Sequence, residues 1–378
     1  MLCDPLLKIV ILPQKRFYIM DQCRIGIACN RLASGGGMES HALSIITELA
    51  KQGFTPVIFT KNHKPLVSVQ DYEISSCSTK MIPRALEDLY FSHWLKKQLR
   101  NHGIQSCIGF CRNTESDILF CGGTHRGFAA HRKRHLFYDL VISRFEDIAF
   151  QRAKFILPAS QFVGRELQSL YGINQKKIVT AYPPVSEDRF KCFSNQKRLK
   201  ARTDLGLSLD KTVLLFPSAS GHERKGLSLI LKCMEGLENI ELAITGKPPQ
   251  NCNSSVVDIG YQTDMEKAYN AADYTVLASY YEPFGLVGVE SILCGTPVIL
   301  AQNIGSTEVI SNDVCQTFSP DNPQELRAIL SKLPTPSHRT SKADLTYDFS
   351  IKNQVETLLS LLTKVSSAQS SQQNMNLF

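Results

Sequence analysis

The chain has 378 residues, 43% hydrophobic and 20% charged, with a formal net charge of +7, a length that holds two packed domains at roughly 100–200 residues each. The modest positive balance suits phosphate-bearing ligands or an anionic membrane surface, while dispersed basic residues with little aromatic interleaving exclude nucleic acid as a partner. No run reaches the ~18 apolar residues that span a bilayer, and twelve cysteines without a Cys-x-x-Cys pair predict buried thiols in a reducing cytoplasm.

Residues 1–23 read as an extension ahead of the first strand. Arg24 to Asn30 is a buried strand, followed by a glycine turn, Ser34 to Gly37, an amphipathic helix from about Met38 to Gln52 and a strand from Thr55 to Thr60. This strand, turn, helix, strand unit opens a parallel doubly wound sheet. The pattern continues with a helix at Ala85 to Arg100, a strand at Gln105 to Phe110 and a basic helical stretch from about Ala129 to Arg152. A strand at Phe155 to Pro158, a helix at Gln161 to Tyr171 and a strand at Ile178 to Tyr182 follow.

Pro183-Pro184 stops regular structure, so a domain boundary is placed near residue 185. A second alternation starts at Thr212, with strands at Thr212 to Phe216, Glu241 to Ile244, Val256 to Ile259, Tyr274 to Ala278 and Pro297 to Ala301. Helices begin near Lys225, Asp264, Leu286 and Pro323. The predicted domains are 24–185 and 186–345, then a helix over 346–365 that crosses back to the first domain, then a disordered Ser/Gln/Asn-rich tail over 366–378.

The sharpest chemical signal lies after the predicted strand at Tyr274. Glu282-Pro283-Phe284-Gly285-Leu286 opens a helix that carries Glu290. Eight residues at helical rise separate the two carboxylates by at most ~12 Å, comparable to the span between the sugar and the ribose of a sugar nucleotide. The N–H groups of Phe284, Gly285 and Leu286 at a helix start suit an anionic diphosphate. A capped helix with acids near its positive end would read the same way.

His222-Glu223-Arg224-Lys225-Gly226 follows another strand end. Arg224 and Lys225 can neutralise the charge that develops on a diphosphate leaving group, although a solvated charged turn has the same composition. A Walker A reading fails because Leu227 stands where its lysine belongs. In the first half, Gly35-Gly36-Gly37 sets backbone donors at a helix start without completing a Gly-x-Gly-x-x-Gly fingerprint. His125 lies in Cys121-Gly122-Gly123-Thr124-His125, a flexible loop able to present it to a cleft.

The Glu282-x7-Glu290 element, continued into Cys294-Gly295-Thr296-Pro297-Val298-Ile299, resembles glycosyltransferase family 4. Gly305 with Glu308-Val309-Ile310 continues that family's Gly-x-x-Glu-hydrophobic pattern. The resemblance covers about residues 24 to 330 and implies a GT-B α/β fold: two Rossmann-like domains with parallel sheets facing across a cleft. It implies that Glu282 lies beside the donor sugar and Glu290 contacts the ribose, with Arg224 and Lys225 as the phosphate-binding pair. Gly36 and Gly37 then face the donor phosphates, and His125 contacts the donor sugar at the reacting centre.

The subgroup it most resembles is the lipopolysaccharide-core glucosyltransferases that act on heptose. There, the basic segment His131-Arg132-Lys133-Arg134-His135 with Leu136, Phe137 and Tyr138 would meet an anionic membrane surface, giving a peripheral location on the inner face of the cytoplasmic membrane. The implied reaction is retaining, metal-independent transfer of a hexose from a nucleotide-diphosphate sugar, such as UDP-glucose, to a lipid-linked or glycan acceptor. No cofactor beyond that donor is expected, and the lack of an Asp-x-Asp element argues against a metal-dependent GT-A enzyme. The rivals are a nucleotide-sugar epimerase on the same fold and a non-catalytic nucleotide-sugar-binding protein.

Overall fold

The computed structural model describes residues 11–12, 15–16, 24–32, 37–62, 72–131, 137–218, 221–246, 255–334 and 339–375. Gly36, the segment 132–136 and most of the expected extension 1–23 lie outside the described residues; within 1–23, Ile11–Leu12 (β1) and Lys15–Arg16 (β2) form a short antiparallel pair.

The first half is a sheet of β3 (Arg24–Arg31), β4 (Thr55–Asn62), β5 (Glu73–Ser76), β6 (Cys107–Gly109), β7 (Ile118–Cys121) and β8 (Phe155–Pro158). The second half is a sheet of β9 (Thr212–Phe216), β10 (Ile240–Ile244), β11 (Val256–Asp258), β12 (Tyr274–Leu277), β13 (Val298–Ala301) and β14 (Cys315–Phe318). Every pairing in both is parallel. The orders are β5-β4-β3-β6-β7-β8 and β11-β10-β9-β12-β13-β14, so each half reads 3-2-1-4-5-6 in its own count, the doubly wound dinucleotide-binding order. Helices on both faces make the strands apolar throughout, as in Val213-Leu214-Leu215-Phe216, all buried.

The helices of the first half are α1 (Gly37–Lys51), α2 (Glu87–Asn101), α3 (His125–Ala130), α4 (Phe137–Arg152) and α5 (Gln161–Tyr171). Those that follow are α6 (Asn195–Asp204), α7 (Leu227–Met234), α8 (Met265–Ala271), α9 (Leu286–Leu293), α10 (Pro323–Leu330) and α11 (Ile351–Met375). Several expectations are corrected. The strand expected at Ile178 to Tyr182 reduces to one bridge, Ile156 to Ile178, with backbone bonds from Val179 and Ala181. Strands β5, β7 and β14 were not anticipated, because four residues are too few to show a period: β7 is buried throughout, whereas β5 has no buried residue and β14 is buried only at its ends. The tail expected to be disordered from 366 continues α11 to Met375, since nothing there, neither Gly nor Pro, breaks a helix.

Helix α11 is shared property of the fold's first half. Val355, Leu358, Leu362 and Val365 recur at helical spacing and are buried with Ile45, Ile46 and Leu49 of α1, each contributing about 1.5–3 kcal/mol of transfer free energy. One polar pair sits inside this contact: the His41 ring bonds Gln354 Oε1 at 2.6 Å, and Gln354 donates to the Tyr182 carbonyl at 3.1 Å. Burial lowers the His41 pKa from 6.5 to about 4, so the folded ring is neutral and donates to Gln354.

The unfolded chain binds a proton below pH 6.5 that folded His41 refuses until about pH 4, so stability falls as pH is lowered through that window, by up to about 3 kcal/mol. Urea denaturation of wild type and His41→Asn across pH 4–6.5 measures the term: wild type should lose stability relative to the variant on acidification, and parallel curves would disprove it.

Candidate active site

In a doubly wound sheet the crevice opens at the carboxyl ends of the strands where the order reverses. In the second half that point lies between β9 and β12, and the two loops leaving these strands carry the charged residues. The turn Arg224-Lys225-Gly226 leads into α7. It is tied to the end of β12 by the Ala278 N–H, which donates to the Lys225 carbonyl at 3.1 Å. Gly226 has φ +79°, and a Cβ there would overlap the Ala278 carbonyl, so only glycine lets this turn lie against the strand end.

The loop from β12 brings Glu282 back over the turn: Arg224 Nη1 donates to Glu282 Oε2 at 3.1 Å. Gly285, at φ +80°, starts α9, whose first N–H groups have no carbonyl of the helix to bind. Lys225 Nζ donates to the Pro217 carbonyl at 2.9 Å; burial lowers its pKa, opposed by Glu282 and Glu290. Glu290 accepts from the Tyr269 hydroxyl at 2.7 Å. Its pKa is raised by burial, with the Tyr269 hydrogen bond and the charges of Arg189 and Lys225 pulling it down. Arg224, Lys225, Glu282 and Glu290 thus act on one another as a set of alternating charges near the start of α9, into which Phe284, Gly285 and Leu286 lead, with the Phe284 ring buried against Tyr182 and Phe349.

The first half contributes differently from expectation. His125 is not in a flexible loop: it is the first residue of α3, capped by the Thr124 hydroxyl, which accepts from Gly127 N at 3.0 Å. The ring is buried, with Nε2 bonded to Asp139 Oδ1 at 2.9 Å, and no contact among the described residues joins it to Arg224 or Glu282. Its neighbour Thr124 does reach the other half. Gly37 begins α1.

Residues to which the sequence assigned no contact between the halves hold them together. The Tyr281 hydroxyl accepts from Thr124 N at 3.0 Å and donates to Glu166 at 2.9 Å, and Glu166 also accepts from the Thr124 hydroxyl at 2.8 Å. Burial raises the Glu166 pKa. Ser160 donates to the Pro283 carbonyl at 2.6 Å. Glu308 accepts from the N–H groups of Gln161 and Phe162 at 2.8 and 2.7 Å. Helix α5 has no acid in its own first turn, and the other half supplies one; Glu308 stood out in the sequence only as part of the Gly305 to Ile310 pattern.

Two family models match, "Glycosyl transferases group 1" over residues 197–336 and "Glycosyltransferase Family 4" over 35–189. A protein of Burkholderia thailandensis named as a probable transglycosylase is 36% identical over 355 residues, which is 91% of this chain and 98% of that one. A D-inositol 3-phosphate glycosyltransferase of Mycobacterium leprae is 29% identical over 172 residues, 41% of this chain and 39% of its own. Among solved structures, WaaG, a glycosyltransferase involved in lipopolysaccharide biosynthesis, superposes with a TM-score of 0.69 at 18% identity, covering 82% of this chain and 91% of WaaG. HepE of Anabaena in complex with UDP and glucose gives a TM-score of 0.70 at 15% identity over 90% and 99% of the two chains. The chain belongs to glycosyltransferase family 4 and is a glycosyltransferase with the GT-B fold.

Tyr281→Phe leaves the buried Thr124 N–H without its acceptor and Glu166 with only the Thr124 hydroxyl as a side-chain donor, a cost of about 1–3 kcal/mol. Chemical denaturation should show that loss, while Tyr280→Phe, at an exposed position, should stay within about 0.5 kcal/mol of wild type; equal midpoints for both would refute the role of the clasp.

Proposed function

We propose that the enzyme transfers a hexose, with retention of configuration and without a metal, from a nucleotide-diphosphate sugar such as UDP-glucose to a lipid-linked or glycan acceptor in cell-envelope glycan synthesis of the lipopolysaccharide-core kind. The observation that carries this reading is the pairing of Arg224 with Glu282 at 3.1 Å beside Lys225 and the start of α9. Two fixed cations and a helix dipole there offer the charge neutralisation that a departing diphosphate needs, which is the task a metal performs in other transferases. Glu282 accepts from hydroxyls of the donor sugar, Glu290 from the ribose, and the N–H groups of Phe284, Gly285 and Leu286 from phosphate oxygens.

On the facing side, the start of α1 at Gly37 meets the phosphates. His125, oriented by Asp139, shapes the reacting centre. The acceptor hydroxyl attacks from the face that the diphosphate leaves, and a phosphate oxygen takes its proton. Support for a UDP-sugar donor comes from HepE, which has been solved in complex with UDP and with UDP-glucose; support for the pathway comes from WaaG. No helix among the described residues is long and apolar enough to cross a membrane. Exposed Met81, Leu86, Phe137 and Leu140 lie on the two segments that Arg84, stacked over the Tyr138 ring, joins, which supports docking on a membrane surface.

Lys225→Ala should lower kcat/KM by about 2–3 kcal/mol, as for loss of one oxyanion donor, in a radiolabelled-sugar transfer assay that EDTA leaves unchanged. Because burial depresses the Lys225 pKa, its ammonium is lost at lower pH than an ordinary lysine's, so activity should decline early on the alkaline side and Lys225→Arg should move that limb upward. Full turnover by Lys225→Ala would end this assignment.

A further inference from the structure

A second charged space lies in the first half, away from the donor crevice. Its volume is about 550 Å³, and it is walled by the ends of β3 (Asn30, Arg31) and β4 (Lys61), by Arg112 after β6, and by the segment Thr79 to Asp88 with Tyr138 of α4. Five cations face it: Arg31, Lys61, Lys80, Arg84 and Arg112. The acids are Glu39, Glu87 and Asp88. Buried Lys61 is paired with Asp88, and Arg112 is paired with Glu146 at 2.6 Å and lies 4.0 Å from Asp88. Among the described residues Arg31, Lys80 and Arg84 have no carboxylate within ion-pair distance; Arg84 lies 5.7 Å over the Tyr138 ring. Converging unpaired cations repel one another unless an anion joins them.

The walls also exclude a lipid tail. Apart from the Tyr138 ring they are polar, and Asn30, Glu39, Glu87 and Thr79 offer acceptors for hydroxyl groups beside the cationic cluster. An occupant with one anionic group, several hydroxyls and a face to stack on an aromatic ring has the chemistry of a phosphorylated sugar. The space also leads toward the donor. It shares Asn30 and Arg112 with a neighbouring cavity of about 220 Å³ that reaches Gly122 and Gly123. A Cβ on Gly123 would stand 2.6 Å from Pro283, the residue after Glu282.

From this geometry we infer that the cavity between Arg31, Lys61, Lys80 and Arg84 is the acceptor subsite and binds a sugar phosphate, either free or as the head of a lipid-linked glycan. The inference rests on the proposed transferase reading and names the acceptor class for it. Arg31, Lys80 and Arg84 bind the phosphate, and the carboxylates of Glu39 and Glu87 accept from the sugar hydroxyls.

The test is calorimetric titration of the full chain with glucose 6-phosphate, glucose and inorganic phosphate. A parallel arm measures cosedimentation with phosphatidylcholine vesicles carrying phosphatidylinositol 4-phosphate. Saturable binding of glucose 6-phosphate, tighter than either of its parts, supports a free sugar phosphate; capture by the vesicles alone supports a headgroup. In either case Lys80→Ser with Arg84→Ser, both exposed and able to fold, should weaken binding at least tenfold. Failure of both probes to bind, or binding indifferent to the double substitution, overturns the inference. A UDP titration of the same samples separates the two claims: UDP binding without sugar-phosphate binding sinks the subsite alone, whereas loss of UDP binding from the wild type counts against the transferase reading and leaves the probe result to decide the subsite.

Discussion

The loop from Tyr281 to Gly285 has to satisfy two surfaces at once, and the arrangement of the molecule follows from that. One side of it is the crevice of the second half, where Glu282 meets Arg224. The other is the seam with the first half, where Tyr281 meets Thr124 and Glu166 and the Pro283 carbonyl accepts from Ser160. Gly285 then turns the chain into α9 with its positive end facing the crevice. A displacement of this loop would loosen the seam and misplace the carboxylate together, so packing between the halves and chemistry within one of them are a single constraint.

Electrostatics extend the same logic. The crevice sets burial against attraction at each group: Lys225 is pushed down by burial and held up by two carboxylates, while Glu290 is pushed up by burial and held down by Tyr269, Arg189 and Lys225. Groups balanced in this way are stable as a set and costly to disturb singly. The seam uses a neutral variant, with hydroxyls and amides around a Glu166 whose pKa burial raises. Helix α5 takes its N-terminal acid from Glu308 of the opposite half, so a helix end that would be uncompensated in an isolated first half is completed only in the assembled chain. Helix α11 works in the reverse direction, leaving the second half to fill the apolar face of α1.

Much of this was readable in the residues. Alternating strands and helices, the glycine turns and the long buried runs prescribe two doubly wound sheets, because parallel strands covered on both faces must be apolar throughout. Arg224, Lys225, Glu282 and Glu290 could be selected because each lies where a strand ends and a helix begins, and that position is set by local periodicity. The short strands β5, β7 and β14 escaped because four residues are too few to carry a period. The loop expected around His125, suggested by its glycine neighbours, is instead the start of a helix set by the Thr124 cap, with the ring held by Asp139.

The sequence by itself therefore determined the fold class, the family and the charged pairs at the second-half crevice, all of which depend on residue type and spacing along the chain. Only the tertiary structure decided which groups face one another across long separations: Tyr281 with Thr124, Glu308 with the start of α5, Gln354 with His41, and Arg84 with Tyr138. Those partners are 54 to more than 300 positions apart. Their meeting is set by how the sheets and the returning last helix pack, and no local preference of the backbone records it.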